Sequence, residues 1–117
     1  MGYESKLYIV EKSDVGTRED GMKWAEVIAT FDLCKVPDID FRKYPPTKHY
    51  IYEGDDDIIK DCYGEPLREL TVGEAITEIE LAMEDVPNYR RWLPCLGLLK
   101  GFNEAEWNSL AVLHFGH

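Results

Sequence analysis

A chain of 117 residues that is 44% hydrophobic and 12% aromatic has the length of one domain and enough apolar side chains for a packed core, which excludes a disordered tail. Its 13 Lys and Arg against 23 Asp and Glu give a formal net charge of −10, which argues against a direct grip on nucleic acid, because neutralising phosphates takes clustered cations. Cys34, Cys62 and Cys95 form no Cys-x-x-Cys pair, no signal segment opens the chain, and no apolar run approaches the roughly 18 residues of a membrane span. The expectation is therefore a soluble cytoplasmic protein with free thiols and no membrane contact.

In chain order, Lys6 to Lys12 hold a short β-branched and aromatic run between charged ends and predict a strand. Ser13 to Gly21 carry the Ser, Asp, Gly and Thr of a loop, so a long hairpin is the simplest connection. The apolar spacing of Trp24 to Val36 fits helix or strand equally; Val27, Ile28, Thr30 and Phe31 favour strand. Pro37 to Pro46 read as an irregular connection, with Pro45 and Pro46 opposing ladder bonding. His49 to Glu53 and Ile58 to Cys62 predict two short strands around an acidic hairpin turn, Gly54-Asp55-Asp56-Asp57, and Tyr63 to Pro66 predict a further turn.

Thr71 and Glu74 form a capping box, and Val72, Ile76, Ile79, Met83 and Val86 make one apolar stripe, so the chain predicts a helix from Val72 to Asp85, stopped by Pro87. Glu74, Glu78, Glu80, Glu84 and Asp85 fall on the remainder and predict an acidic outer face. Asn88 to Lys100 suggest a short helical turn followed by an apolar segment. Asn103 and Glu106 look like a second capping box opening a brief turn around Trp107, and Leu110 to Phe115 form a last strand. The expected architecture is a single α+β domain over residues 1–117: an antiparallel sheet of about four or five strands, with one main amphipathic helix and one or two short helices on one face.

Four constellations could carry chemistry. Glu53, Asp55, Asp56 and Asp57 are oxygen-rich enough for a hard cation, but they lack the twelve-residue spacing of a calcium loop and suit a solvated hairpin tip better. Tyr89, Arg90, Arg91 and Trp92 could hold an anionic ligand between cation and ring, although arginines just past an acidic helix also suit the helix dipole. Cys62 lies among acidic neighbours that oppose a thiolate. His49, His114 and His117 offer no recognised zinc spacing beyond a terminal His-x-x-His. No nucleotide-binding glycine loop or nucleophile elbow is present, and no motif calls for a cofactor.

The opening Met1 to Val10, the segment Asp61-Cys62-Tyr63-Gly64-Glu65-Pro66-Leu67, Tyr89-Arg90-Arg91 and the closing Leu113-His114-Phe115-Gly116 resemble small proteins encoded by phages and prophages of Gram-positive bacteria. The resemblance implies a bacterial cytosolic setting and an accessory role during infection or lysogeny, and it assigns no role to any residue.

The leading functional expectation is a non-enzymatic acidic module. Glu78, Glu80, Glu84 and Asp85, with Asp55, Asp56 and Asp57, would dock a basic site on a host or phage protein. A rival reading is a small-molecule or nucleotide binder, or a minor enzyme, built on Tyr89, Arg90, Arg91 and Trp92. A third is a homo-oligomeric structural module joined through a strand edge.

Overall fold

The computed structural model describes residues 5–13, 16–19, 21–32, 41–54, 56–58, 66–85, 92–107 and 109–116. Its elements run β1 (Ser5–Lys12), β2 (Lys23–Asp32), a 3-10 turn (Phe41–Lys43), β3 (His49–Glu53), β4 (Asp56–Ile58), β5 (Arg68–Leu70), α1 (Val72–Asp85), α2 (Trp92–Glu104) and β6 (Leu110–Gly116). The α+β class expected from the sequence holds, and the strands lie in the order β4-β3-β2-β1-β6-β5. Every neighbour is antiparallel except β2 and β3, which run parallel through Lys23↔His49 and Trp24↔Tyr50.

That parallel pair follows from closure. The Glu69 amide donates to the Pro45 carbonyl at 2.9 Å and the Thr47 amide to the Leu67 carbonyl at 2.7 Å, framing an antiparallel bridge between Pro46 and Arg68. Two residues on, the Lys23 amide donates to the Lys48 carbonyl at 3.1 Å and β3 begins its pairing with β2. One continuous segment, 45–50, thus bonds β5 with its first half and β2 with its second, and β1, β2, β3, β5 and β6 close into a ring. Directions cannot alternate all the way around an odd ring, so one parallel neighbour is obligatory.

The prolines expected to block pairing take part in it. Pro45 contributes only a carbonyl, and Pro46 sits at the bridge position whose own amide is not used, so the missing N–H groups cost nothing.

Side-chain alternation divides the core in two. Tyr8, Val10, Ala25, Ile51, Leu67, Ala111 and Leu113, at least one on or beside each strand of the ring, are buried together as its interior. Leu7, Ile9, Leu70, Leu110 and Val112 face the other way, against Val72, Ala75, Ile76, Ile79 and Ala82 of α1 and Trp92, Cys95, Leu96 and Leu99 of α2. Fully burying side chains such as Ile79 and Leu99 contributes about 1.5–3 kcal/mol each. Phe41 joins this outer layer and stacks on buried His114, with ring centroids 3.7 Å apart.

A bulge explains why the periodicity of β2 is ambiguous. Val10 faces Val27 while Ile9 faces Ala29, so Ile28 is the extra residue of β2. Ala25 and Val27 therefore pack inside the ring, whereas Ala29 and Phe31 pack against the helical layer.

Three local expectations need correction. The hairpin after β3 is tighter than the composition suggests: Glu53, followed by Gly54 at φ 65°, pairs with Asp56, so Asp56 and Asp57 belong to the strand. The described part of the second strand is Asp56–Ile58, so it begins two residues before Ile58, and residues 59–65, with the remainder of the strand expected to Cys62 and the predicted turn from Tyr63, lie outside the described part. The ambiguous segment becomes a full second helix, α2, and Asn103 belongs to its last turn rather than opening a new one. Glu106 donates its amide to the Asn103 carbonyl at 3.2 Å in a left-handed conformation, φ 55°, closing α2 where a glycine would commonly stand.

Replacing Glu106→Gly should therefore raise stability, by about 0.5–1 kcal/mol, through relief of the left-handed strain. Urea denaturation of both proteins measures it, and a destabilised variant would show that the Glu106 side chain contributes more than its backbone costs.

Candidate functional site

The acidic face expected on α1 is only partly there. Glu78 points inward and is buried, accepting a hydrogen bond from the Tyr44 hydroxyl at 2.6 Å and an ion pair from Lys43 Nζ at 2.5 Å. Burial, then the Glu78 carboxylate, pushes the Tyr44 hydroxyl well above its ordinary pKa, so it stays a proton donor to Glu78. Glu78 thus ties the 3-10 turn to α1 and is not available to a partner. Glu80 pairs with Lys100 of α2 at 3.4 Å with both side chains about half exposed, a contact that contributes little and can exchange. Glu74 is engaged in the capping box, its carboxylate accepting the Thr71 amide at 2.9 Å while the Thr71 hydroxyl accepts the Glu74 amide at 3.1 Å. Glu84 is exposed.

Asp85 closes α1, and Asp56 and Asp57 lie on β4, placed by their backbone alone; Asp55 falls outside the described residues. Of the basic and aromatic cluster, Tyr89, Arg90 and Arg91 also fall outside. Trp92 opens α2 with 1% exposure inside the core, so its ring is not a platform for a ligand. Cys95 is buried among the same residues, and burial raises its thiol to about 12, which makes it inert; Cys34 and Cys62 lie outside the described part.

Sequence reading overlooked two features. First, the outer surface of the helical layer is apolar as well as acidic. Leu81 of α1, Leu93 and Leu98 of α2 and Trp107 just beyond it are exposed by 53%, 50%, 37% and 42%, four of the six large hydrophobic side chains most open to solvent among the described residues. Trp107 is held edge-on to Phe102, with ring centroids 5.7 Å apart. A helix apolar on both its buried and its outer side, as α2 is, commonly meets a further surface.

Second, the inward-facing rows of four ring strands all run out at one end into charged or titratable residues. Lys12 follows Tyr8 and Val10, Lys23 precedes Ala25, His49 precedes Ile51, and Glu69 follows Leu67. Glu69 Oε1 accepts the Thr47 hydroxyl at 2.8 Å and lies 3.5 Å from His49 Nδ1, while Oε2 is 3.9 Å from Lys12 Nζ. The Thr47 hydroxyl oxygen also accepts the His49 amide at 3.1 Å. His49 Nδ1 is enclosed with no aligned hydrogen-bond partner, so its pairing with Glu69 is electrostatic. Burial lowers the His49 pKa; Lys12 and Lys23 lower it further, and Glu69 only partly opposes them, so the imidazole is neutral at pH 7.

Among the described residues no group of three or more His, Cys, Asp or Glu is placed to hold a metal ion, and no helix is long and apolar enough to cross a membrane. No protein-family model, curated protein or solved structure matches this chain significantly.

Two outcomes follow from these contacts. Tyr44→Phe should cost about 1–3 kcal/mol in a denaturation experiment, because buried Glu78 loses its hydroxyl donor; a change within error would mean that the carboxylate is satisfied without it. His49 has a folded pKa below its unfolded value near 6.5, so its contribution is complete above about pH 6.5 and is lost as pH falls below it. Thermal melts from pH 7.5 to 5 should accordingly fall more steeply for the natural protein than for His49→Gln, and parallel profiles would contradict the assignment.

Proposed function

We propose that this protein is a non-enzymatic binding module that docks a protein partner through the outer surface of its helical layer. The observation that carries this reading is the exposure of Leu81 on α1, Leu93 and Leu98 on α2 and Trp107 just past its end, on helices that also expose the carboxylates of Glu80 and Glu84. Solvent-exposed apolar side chains flanked by charge have the make-up of an interface, whose centre supplies burial and whose rim selects the partner by charge.

The complementary surface is apolar at its centre and basic at its edge. Lys100, the one cation of α2, is paired only with half-exposed Glu80, and an incoming Arg or Lys can replace it at small cost. The acidic balance of the chain, 23 carboxylates to 13 cations, steers basic surfaces toward it at long range. The resemblance to phage and prophage proteins fits an accessory role in which the partner is a host or phage protein whose basic site is occupied in this way.

The test compares the natural protein, a Leu81→Ser/Leu93→Ser double variant and a Glu80→Lys/Glu84→Lys double variant as baits, at about 50 and 500 mM salt. One partner should be retained by the natural protein, lost by the leucine variant at both salt concentrations, and weakened by the lysine variant chiefly at low salt. A partner that both variants retain equally would place the interface elsewhere and overturn the proposal.

A further inference from the structure

The outer face of α2 has a shape that its leucines alone do not describe. Side chains advance by about 100° per residue along a helix, so Leu93 and Leu98 stand on either side of a strip that holds Pro94, Gly97 and Gly101. Gly97 and Gly101 are exposed, one turn apart, and a β-carbon built on either meets nothing within 4 Å. Packing within the described residues therefore does not require glycine at either position, although glycine inside a helix lowers stability relative to other residues. What the pair leaves is a shallow trough with a bare backbone floor, walled by a half-exposed leucine on each side.

The two walls differ in charge. Lys100 lies seven residues after Leu93, almost on the same line along the helix, and reaches Glu80 of α1 at 3.4 Å, so the Leu93 wall is the one that borders α1. Glu84 follows Glu80 by one turn, is exposed, and has no ion-pair partner among the described residues. Across the two helices Lys100 is the one basic residue, against Glu74, Glu78, Glu80, Glu84, Asp85 and Glu104.

We propose that the occupant of this trough is an amphipathic α-helix of the partner protein, with small residues in its apolar stripe and Lys or Arg along the edge that faces α1. The inference rests on the docking reading above and names what docks.

The floor decides between a helix and an extended chain. The backbone of α2 is bonded internally and offers no ladder to pair with, so an extended segment would bury its own N–H and C=O groups against leucines without partners. A helix brings those groups already paired. Bare glycine backbone lets its axis come closer than the ~8–10 Å usual between helices, and small residues in its own stripe make the approach mutual. Charge decides against a second copy, because two chains of net charge −10 repel and would set carboxylates against carboxylates. Basic residues on the incoming helix instead meet Glu84 and displace Lys100 from half-exposed Glu80.

Three labelled peptides of about 18 residues, each stapled as a helix, are the probes: one with a Leu and Ala stripe and Lys along one edge, one with the same residues scrambled, and one with Glu in place of Lys. Fluorescence anisotropy compares the natural protein with Gly97→Gln/Gly101→Gln, whose long side chains fill the trough without altering any charge. The natural protein should bind the first peptide saturably and at least about tenfold more tightly than the other two, and the glycine variant should lose that preference. The variant should also melt higher than the natural protein, by about 2–5 °C per substitution, because Gln is the better helix former and no contact is lost. Weaker binding by a more stable protein is a result that damage to the fold cannot give.

No saturable binding of the first peptide, or equal binding of it by both proteins, would overturn the inference, and so would a variant that melts lower. Equal binding of the ordered and scrambled peptides would reduce it to charge attraction and overturn it as well. Dimers of the natural protein in light scattering, abolished by the glycine substitutions, would assign the trough to a second copy. The leucine baits separate this inference from the docking reading: a partner lost by Leu81→Ser/Leu93→Ser but unaffected by Gly97→Gln/Gly101→Gln keeps the surface and removes the helix as its occupant.

Discussion

Closure of the sheet rests on a short stretch of backbone that bonds in two directions. Residues 45–50 give a carbonyl and an amide to β5 and, a few residues later, pair with β2, which converts an open sheet into a ring. Everything inside that ring depends on this seam. Ile51 can meet Ala25, Tyr8 and Leu113 only because β3 is carried across the opening, and Glu69 can meet Thr47 and His49 only because the same segment passes alongside β5. Two prolines hold it there at low entropic cost, since their φ angles are already fixed in the unfolded chain.

The two faces of the sheet have different duties. The inner face makes a small sealed core that ends in polar groups, and the outer face is a platform for α1 and α2. Glu78 shows how charge is spent in building rather than in display: it is drawn into the layer to hold Tyr44 and Lys43, fixing the turn that stacks Phe41 on His114. What remains outside is a mixture of carboxylates and leucines, and that mixture differs from a uniformly anionic surface in what it can recognise. Charge alone would attract many basic proteins with little discrimination, whereas exposed leucines require a matching apolar depression.

Local signals in the sequence located α1 through its one buried and one wet face, and β1 and β6, buried on both faces, through short apolar runs. The Thr71 and Glu74 box and the stripe from Val72 to Met83 predicted α1, and β-branched and aromatic runs predicted β1 and β3. Failures came where a residue's role is set by distant partners. The bulge at Ile28 switches β2 from one core to the other, which blurs its period. Asn103 and Glu106 satisfy a start pattern while standing at a helix end, because Glu106 accepts a positive φ. Glu78 looks like its exposed neighbours until Tyr44 is placed beside it. The cluster at the ring's end draws Lys12, Thr47, His49 and Glu69 from segments far apart in sequence, and no spacing rule joins them.

The place of β1 in the sheet carries a consequence for biosynthesis. The first strand is bonded on one side by β2 and on the other by β6, the last strand in the sequence, which itself separates β1 from β5. A growing or truncated polypeptide that stops before Leu110 therefore presents β1 with a bare edge and leaves Tyr8 and Val10 uncovered, the conditions under which strands recruit foreign strands. Synthesis must pass β6 before the sheet can be completed, so products that stop short of Leu110 are prone to aggregate rather than to persist as partly folded monomers.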